Sequence, residues 1–255
     1  MSDHPSARHE ARIDGAGDGF VYGPDLFVSH DRGLTWGGVS TPEPVLQVAT
    51  VGTSVWALEG TCTSIGGAPP CPLMMQRSYD GGRKWSGAVT IPQTNGSISP
   101  EISKVLVRTS ASSGLLVVPP ATGQSPNVAA VILATSDGGE TWVERSQAPC
   151  ADGEWGTILS EAPDGSLWLA CAFEPGAGSQ LKSVVRSLDG GRSWLQAPCA
   201  LPATASTLPG CLEHNGLSSG YLGTFASVST TRAFLAGGRN FLQVTDDGGS
   251  TWSLV

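Results

Sequence analysis

Lysine is nearly absent from this 255-residue chain, at three of fourteen basic residues. Charged residues of both signs make up only 14%, and the formal net charge is −8. With no basic cluster anywhere, nucleic acid is not an expected partner. No apolar run is long enough to span a bilayer, so no membrane span is expected. The opening MSDHPSARHEAR also lacks the apolar segment of a signal peptide. No Cys-x-x-Cys pair occurs, and His214 is the only histidine near a cysteine. Zinc is therefore not expected, nor any other metal, and no cofactor is implied.

What the chain does have is turn formers. Glycine (34) and proline (18) together make about a fifth of it, which points to short elements joined by turns rather than to long helices. An apolar content of 40% is enough to bury a core. The cysteines are even in number: Cys62, Cys71, Cys150, Cys171, Cys199 and Cys211. Either they are six separate thiols of a reducing compartment, or they are disulfides made in an oxidising one. The second reading places the protein outside the cytoplasm or in secretion, with a leader preceding Met1.

One octapeptide dominates the sequence. SHDRGLTW (29–36), SYDGGRKW (78–85), TSDGGETW (135–142), SLDGGRSW (187–194) and TDDGGSTW (245–252) recur at intervals of roughly fifty residues. Each follows a β-rich run, such as VAAVILATS or NFLQVT, and precedes another short strand, so it reads as a hairpin connection. The aspartate can accept backbone N–H groups within the turn, the glycine supplies a positive φ, and the tryptophan offers a large face for packing between units. Asp31, Asp80, Asp137, Asp189 and Asp247, with Trp36, Trp85, Trp142, Trp194 and Trp252, are accordingly structural. No enzyme needs five copies of one catalytic acid.

The pattern S/T-x-D-x-G-x-T/S-W resembles the Asp-box, or bacterial neuraminidase repeat, and every copy fits apart from Lys84 in the Thr/Ser position. The resemblance spans the whole chain and is nearest to exported sialidase-like repeat proteins of actinobacteria. It implies an all-β fold, a single β-propeller domain over residues 1–255, built of four-stranded antiparallel blades. Five blades are expected, at about 10–40, 45–92, 103–147, 156–197 and 222–255. They form either a five-bladed ring or part of a six- or seven-bladed one whose further blades precede this segment.

With strands A to D in each blade, the A–B and C–D links emerge on one face and the B–C and D–A links on the other. The Asp-boxes and other short links fall on the first face. The long links, such as TCTSIGGAPPC and PPATGQSPN, fall on the second with all six cysteines. Ligands are held by loops on rigid scaffolds, so the B–C/D–A face is the expected binding surface. Trp155, in the D–A link ADGEW, is placed to stack on a sugar or anchor a partner. Trp56 and Trp168, at equivalent strand-B positions, read as core.

Sialidase chemistry, as the resemblance implies it, needs three arginines, a tyrosine–glutamate nucleophile pair and an aspartic acid/base. The F/Y-R-I-P string that carries the first arginine is absent (TIPQ at 90–93 is nearest), and only three tyrosines exist. Arg12 and Arg108 lie in strand A, nearest the central channel, but two arginines do not make a triad. Glu59, Glu101, Glu154, Glu161 and Glu213 are carboxylates near the loop face or channel, and no spacing selects a catalytic pair among them. GLSSG (216–220) lacks the strand–turn–helix context of a nucleophile elbow, and NGS (95–97) reads as a turn.

The expected function is a non-catalytic, extracytoplasmic binding or assembly module for a protein or glycan ligand, with Trp155, Arg108, Glu161 and Arg12 as candidate contacts. The alternative is a sialidase-like or other glycoside hydrolase completed by blades outside this segment.

The cysteine positions generate a first test. Cys62 and Cys71 flank one B–C loop, Cys150 leaves blade three towards Cys171 of blade four, and Cys199 and Cys211 share one D–A loop. Bridges 62–71, 150–171 and 199–211 are expected, each contributing about 2–4 kcal/mol by restricting the unfolded chain. Non-reducing peptide mapping will return these three pairs; six free thiols would overturn them and the oxidising compartment together.

Overall fold

A computed structural model describes residues 10–13, 17–60, 72–91, 104–118, 130–148, 156–172, 176, 180, 182–196, 220–238 and 241–255. The described residues form twenty strands and no helix, so no helix is long and apolar enough to cross a membrane. Blade one is β1 (Glu10–Ile13), β2 (Gly19–Tyr22), β3 (Leu26–Ser29) and β4 (Gly37–Val39); blade two is β5 (Val45–Val51), β6 (Ser54–Glu59), β7 (Met74–Ser78) and β8 (Val89–Thr90). Blade three is β9 (Leu106–Arg108), β10 (Gly114–Val118), β11 (Ala130–Thr135) and β12 (Val143–Ala148). Blade four is β13 (Gly156–Glu161), β14 (Leu167–Ala172), β15 (Lys182–Ser187) and β16 (Leu195–Gln196). Blade five is β17 (Leu222–Ser227), β18 (Ala233–Gly237), β19 (Phe241–Thr245) and β20 (Ser253–Leu254). Each blade is one antiparallel sheet in sequence order, and consecutive blades pack face to face in a five-bladed β-propeller architecture.

Burial explains why the second strands are almost purely apolar. A strand sandwiched between two sheets buries both of its faces, so period-two alternation disappears. β6, β10 and β14 are buried at every position. The fourth strands sit at the outer rim, are short in every blade but the third, and leave side chains such as Leu254 exposed.

The octapeptide is a self-contained hydrogen-bond device. Its opening hydroxyl donates to the aspartate and accepts the N–H of the second glycine position at 2.7–3.1 Å in all five copies. The aspartate also accepts the N–H four residues on at 2.8–3.0 Å. In four copies it takes the Thr or Ser hydroxyl at that position as well. Lys84 has no such hydroxyl, so Asp80 keeps only the backbone bond there. These donors favour the charged carboxylate. Thr35 holds Asp31 down to about 2, and Thr141 does the same for Asp137.

The blades are joined by one recurring contact. The opening hydroxyl residues pair across the sheet with Gly19, Val55, Gly114, Leu167 and Ala233. The next residue in each second strand is therefore equivalent: Phe20, Trp56, Leu115, Trp168 and Phe234. The first four are 0–3% exposed. Phe20, Trp56 and Leu115 face the following blade's turn, where glycine leaves room. A Cβ added at Gly82 would stand 3.0 Å from the Phe20 ring, one at Gly139 would stand 3.7 Å from Trp56, and one at Gly191 would stand 3.6 Å from Leu115. Trp142 closes edge-on against Trp56, with ring centroids 6.0 Å apart, and Trp252 meets Phe225 at 6.4 Å with the rings tilted by 57°, Phe225 in turn meeting Trp168 at 6.1 Å. Burying one such aromatic contributes roughly 2–3 kcal/mol.

Glu59, at the loop-face end of β6, is wholly buried. Burial pushes its carboxyl up to about 7, and the nearby Glu43 charge adds to the shift.

Two stability predictions follow from these groups. Asp137→Ala removes several turn acceptors at an exposed site and should cost about 1–2 kcal/mol in chemical denaturation without changing the fold. Asp31 and Asp137, with pKa values held below the unfolded value, contribute stability that is present above about pH 4 and lost as pH falls towards 2. Glu59 works in the opposite sense. Its folded pKa lies above 4.5, so its contribution is intact below that pH and is lost as pH rises towards about 7. Glu59→Gln should therefore gain roughly 2–3 kcal/mol over the parent at pH 8 and little at pH 4.5. Equal gains at both pH values would show that burial does not raise the Glu59 carboxyl in this way.

Candidate functional site

The first strands of all five blades converge on the axis. There they line a cavity of about 310 Å³, to which Arg12 (β1), Gln47 (β5), Arg108 (β9), Glu161 (β13) and Phe225 (β17) contribute, with Lys104 just ahead of β9. Three of the four residues singled out from sequence, Arg12, Arg108 and Glu161, are thus brought to one site. Trp155, the fourth, lies outside the described residues, as do Glu101, Glu154, Glu213, the NGS string, and five of the six cysteines.

The wall is stitched by polar groups between neighbouring blades. The Gln47 amide donates to the Leu106 carbonyl at 2.7 Å and accepts the N–H groups of Val105 and Leu106 at 2.9 and 3.0 Å. The Lys104 backbone exchanges bonds with Thr157 and Leu159. Ser160 and Ser227 meet hydroxyl to hydroxyl at 2.8 Å. These bonds fix the spacing of the first strands and hence the shape of the cavity.

Its charged groups differ in what they are free to do. Arg108 is buried and lies 4.0 Å over the Trp56 ring. It donates to the Ser54 carbonyl at 2.6 Å, the Ser54 hydroxyl at 2.9 Å and the Ala111 carbonyl at 2.5 Å. Burial pulls it down to about 10, so it stays charged at neutral pH while its terminal N–H groups tie blade three to blade two. Arg12 and Lys104 are exposed and can reach a ligand. Glu161 is half-buried, and burial raises its carboxyl above the usual range. It also borders a second crevice of about 320 Å³ between blades three and four, which Arg145 lines as well.

Lys104, Gln47 and Ser160 were not singled out from sequence. Lys104 carried a signal, as one of three lysines and at the start of a first strand; the other two carried none. Among the described residues no group of three or more His, Cys, Asp and Glu side chains is placed to hold a metal. Cys171, the one described cysteine, is wholly buried in β14 and carries no free thiol.

The connections above the cavity are asymmetric. On one face the A–B links are short (14–18, 52–53, 109–113, 162–166 and 228–232), and the C–D links are the octapeptide turns. The B–C and D–A links are 23–25, 40–44, 60–73, 91–105, 119–129, 149–155, 173–181, 197–221 and 238–240, and the longer of them fall largely outside the described residues.

No family model matches the chain, and no curated protein sequence does. Solved structures do resemble it. A protein of unknown function from Dyadobacter fermentans DSM 18053 is 14% identical over 98% of this chain and 82% of its own, with a TM-score of 0.59. An ulvan lyase of polysaccharide lyase family PL25 is 12% identical over 100% of this chain and 71% of its own, at 0.57. An α-L-arabinanase from Penicillium chrysogenum, complexed with arabinobiose, is 13% identical over 100% of this chain and 83% of its own, at 0.53. At such identities the likeness is one of fold, and it places the chain among the β-propellers.

Proposed function

We propose that the chain is a non-catalytic, extracytoplasmic binding module of Asp-box type that takes its ligand in the axial cavity, with Lys104 at the B–C/D–A end of that cavity and Arg12, Arg108 and Glu161 at its A–B end. The observation that carries this reading is the cavity's charge. In a chain of net charge −8, Arg12 and Lys104 stand exposed on the axis, Arg108 adds a fixed positive charge, and Glu161 is the only acid among the described lining residues. Such a site favours a ligand with a carboxylate or another anionic group, on an acidic glycan or an acidic peptide end. The export reading is supported by the even number of cysteines and by the absence of a free thiol at Cys171.

Glycoside hydrolysis, the second reading, has one feature in its favour: the raised pKa of Glu161 suits a general acid. It would need a second carboxylate some 5–10 Å away across the cavity. Glu161 has no such companion among the described lining residues.

The deciding experiment is an array of acidic and neutral glycans, with acidic peptides, followed by titration calorimetry on the hits. Acidic ligands should be retained over neutral ones, with affinity falling as salt rises. Lys104→Ala and Arg12→Ala should each weaken binding by about three- to tenfold. Preference for neutral ligands would overturn the charge argument. Turnover of sialosides or xyloglucan that is abolished by Glu161→Gln would overturn the non-catalytic one.

A further inference from the structure

Four junctions join consecutive blades, and one of them is built differently. The second-strand residue that reaches the following blade is aromatic at three of them: Phe20, Trp56 and Trp168. Phe20 lies against Gly82 and Trp56 against Gly139, while Trp168 meets Phe225 and donates to the Ser229 carbonyl at 3.0 Å. Between blades three and four the same register holds Leu115. Leucine reaches less far than an indole or phenyl ring, and here the second crevice, of about 320 Å³, opens over Leu115 and Leu167. That volume falls within the range of small-molecule sites, about 300–1,000 Å³.

The charged group at this junction departs as well. Gly114 and Leu167 each pair with the opening hydroxyl residue of their blade's turn, and on their other side they pair with Arg108 and Glu161. Arg108 and Glu161 therefore share one register. Arg108 reaches back to blade two, lying 4.0 Å over the Trp56 ring with its N–H groups taken by Ser54 and Ala111. Glu161 instead borders the space that Leu115 leaves open, and its carboxylate has no hydrogen-bond or ion-pair partner among the described residues. The crevice's other strong polar groups are engaged. The Thr135 hydroxyl bonds Asp137 and the Gly139 N–H, and Arg145 donates to the Gly190 carbonyl at 2.8 Å. Burial raises the Glu161 carboxyl, as expected where no cation offsets the lost water. A half-buried carboxylate of this kind is stabilised by any cation brought beside it.

We propose that this crevice binds an aromatic amine, its ring seated on Leu115 and Leu167 and its ammonium paired with the Glu161 carboxylate. The ring takes the space that Phe20, Trp56 and Trp168 fill at the other junctions. Ligand and protein together then reproduce what Trp56 and Arg108 make within the chain: a ring between two blades with a charge at its axial end. Because Glu161 is the unpaired group, a cation is selected over an anion on the same ring. The site shares Glu161 with the axial cavity but does not depend on an anion binding there.

Titration calorimetry with tryptamine, tryptophol and indole-3-acetate tests this, since the three present one ring with a cation, a neutral group and an anion. Tryptamine should bind with a dissociation constant of about 1 mM or tighter, and about tenfold or more tightly than the other two. Glu161→Gln should remove the preference, leaving tryptamine and tryptophol within about twofold of each other. Leu115→Trp and the milder Leu115→Phe supply the ring that the other junctions carry. Each should keep the parent's circular dichroism spectrum and melting temperature while weakening tryptamine binding about tenfold or more. Should a filled variant fail to fold, the ranking of the three probes and its loss in Glu161→Gln decide alone. Absence of tryptamine binding up to about 10 mM, equal binding of the three probes, or binding undiminished in the folded Leu115 variants would overturn the proposal.

Discussion

A bulky side chain against a bare glycine is the constraint from which the rest of this molecule follows. The second strand of each blade carries one large residue at a fixed register, and the next blade's turn removes a Cβ to receive it. For the backbone to come that close, the turn must hold its glycine at positive φ without tertiary help. The hydroxyl–aspartate network supplies this locally by satisfying the turn's own N–H groups. Turn chemistry and inter-blade packing are therefore one device. It also explains the repeat's economy: a blade needs only its own turn and its neighbour's aromatic to find its place.

This division of labour governs where binding chemistry can sit. The turn face is filled with structural hydrogen bonds, so its polar groups are already spoken for. The axis is different. Its polar side chains, Gln47 and Ser160 among them, hold neighbouring first strands in register and leave Arg12 and Lys104 unspent. Arg108 combines both conditions, since its charge contributes to the cavity while its donors belong to the backbone of blades two and three.

The fold was legible because the device is local. Eight residues encode a turn, a strand boundary and a packing knob, and five copies leave little freedom in how they are strung together. Trp56 and Trp168 were readable as core for the same reason, each lying at one register from the turn. The site was less legible. Arg12, Arg108 and Glu161 could be placed near the axis from strand order, but strand order does not tell a free guanidinium from one tied to the Ser54 and Ala111 carbonyls. Gln47 and Ser160 look like ordinary strand polar residues, and their role depends on partners some sixty residues away. Trp36 shows the same limit: it is indistinguishable in sequence from Trp142, yet it is 44% exposed where Trp142 is 4% exposed.

Because each blade touches only its neighbours, resistance to opening cannot be uniform along the chain. Among the described residues, blades two, three and four share the largest apolar cluster, while blade one shares a core cluster only with blade two and blade five only with blade four. In a linear array, stability is a sum of unit terms and nearest-neighbour couplings, and an end unit has one coupling where an inner unit has two. The amides of β1 and β20 therefore belong to the low-energy end of the exchange spectrum, and those of β10 and β14 to the global one.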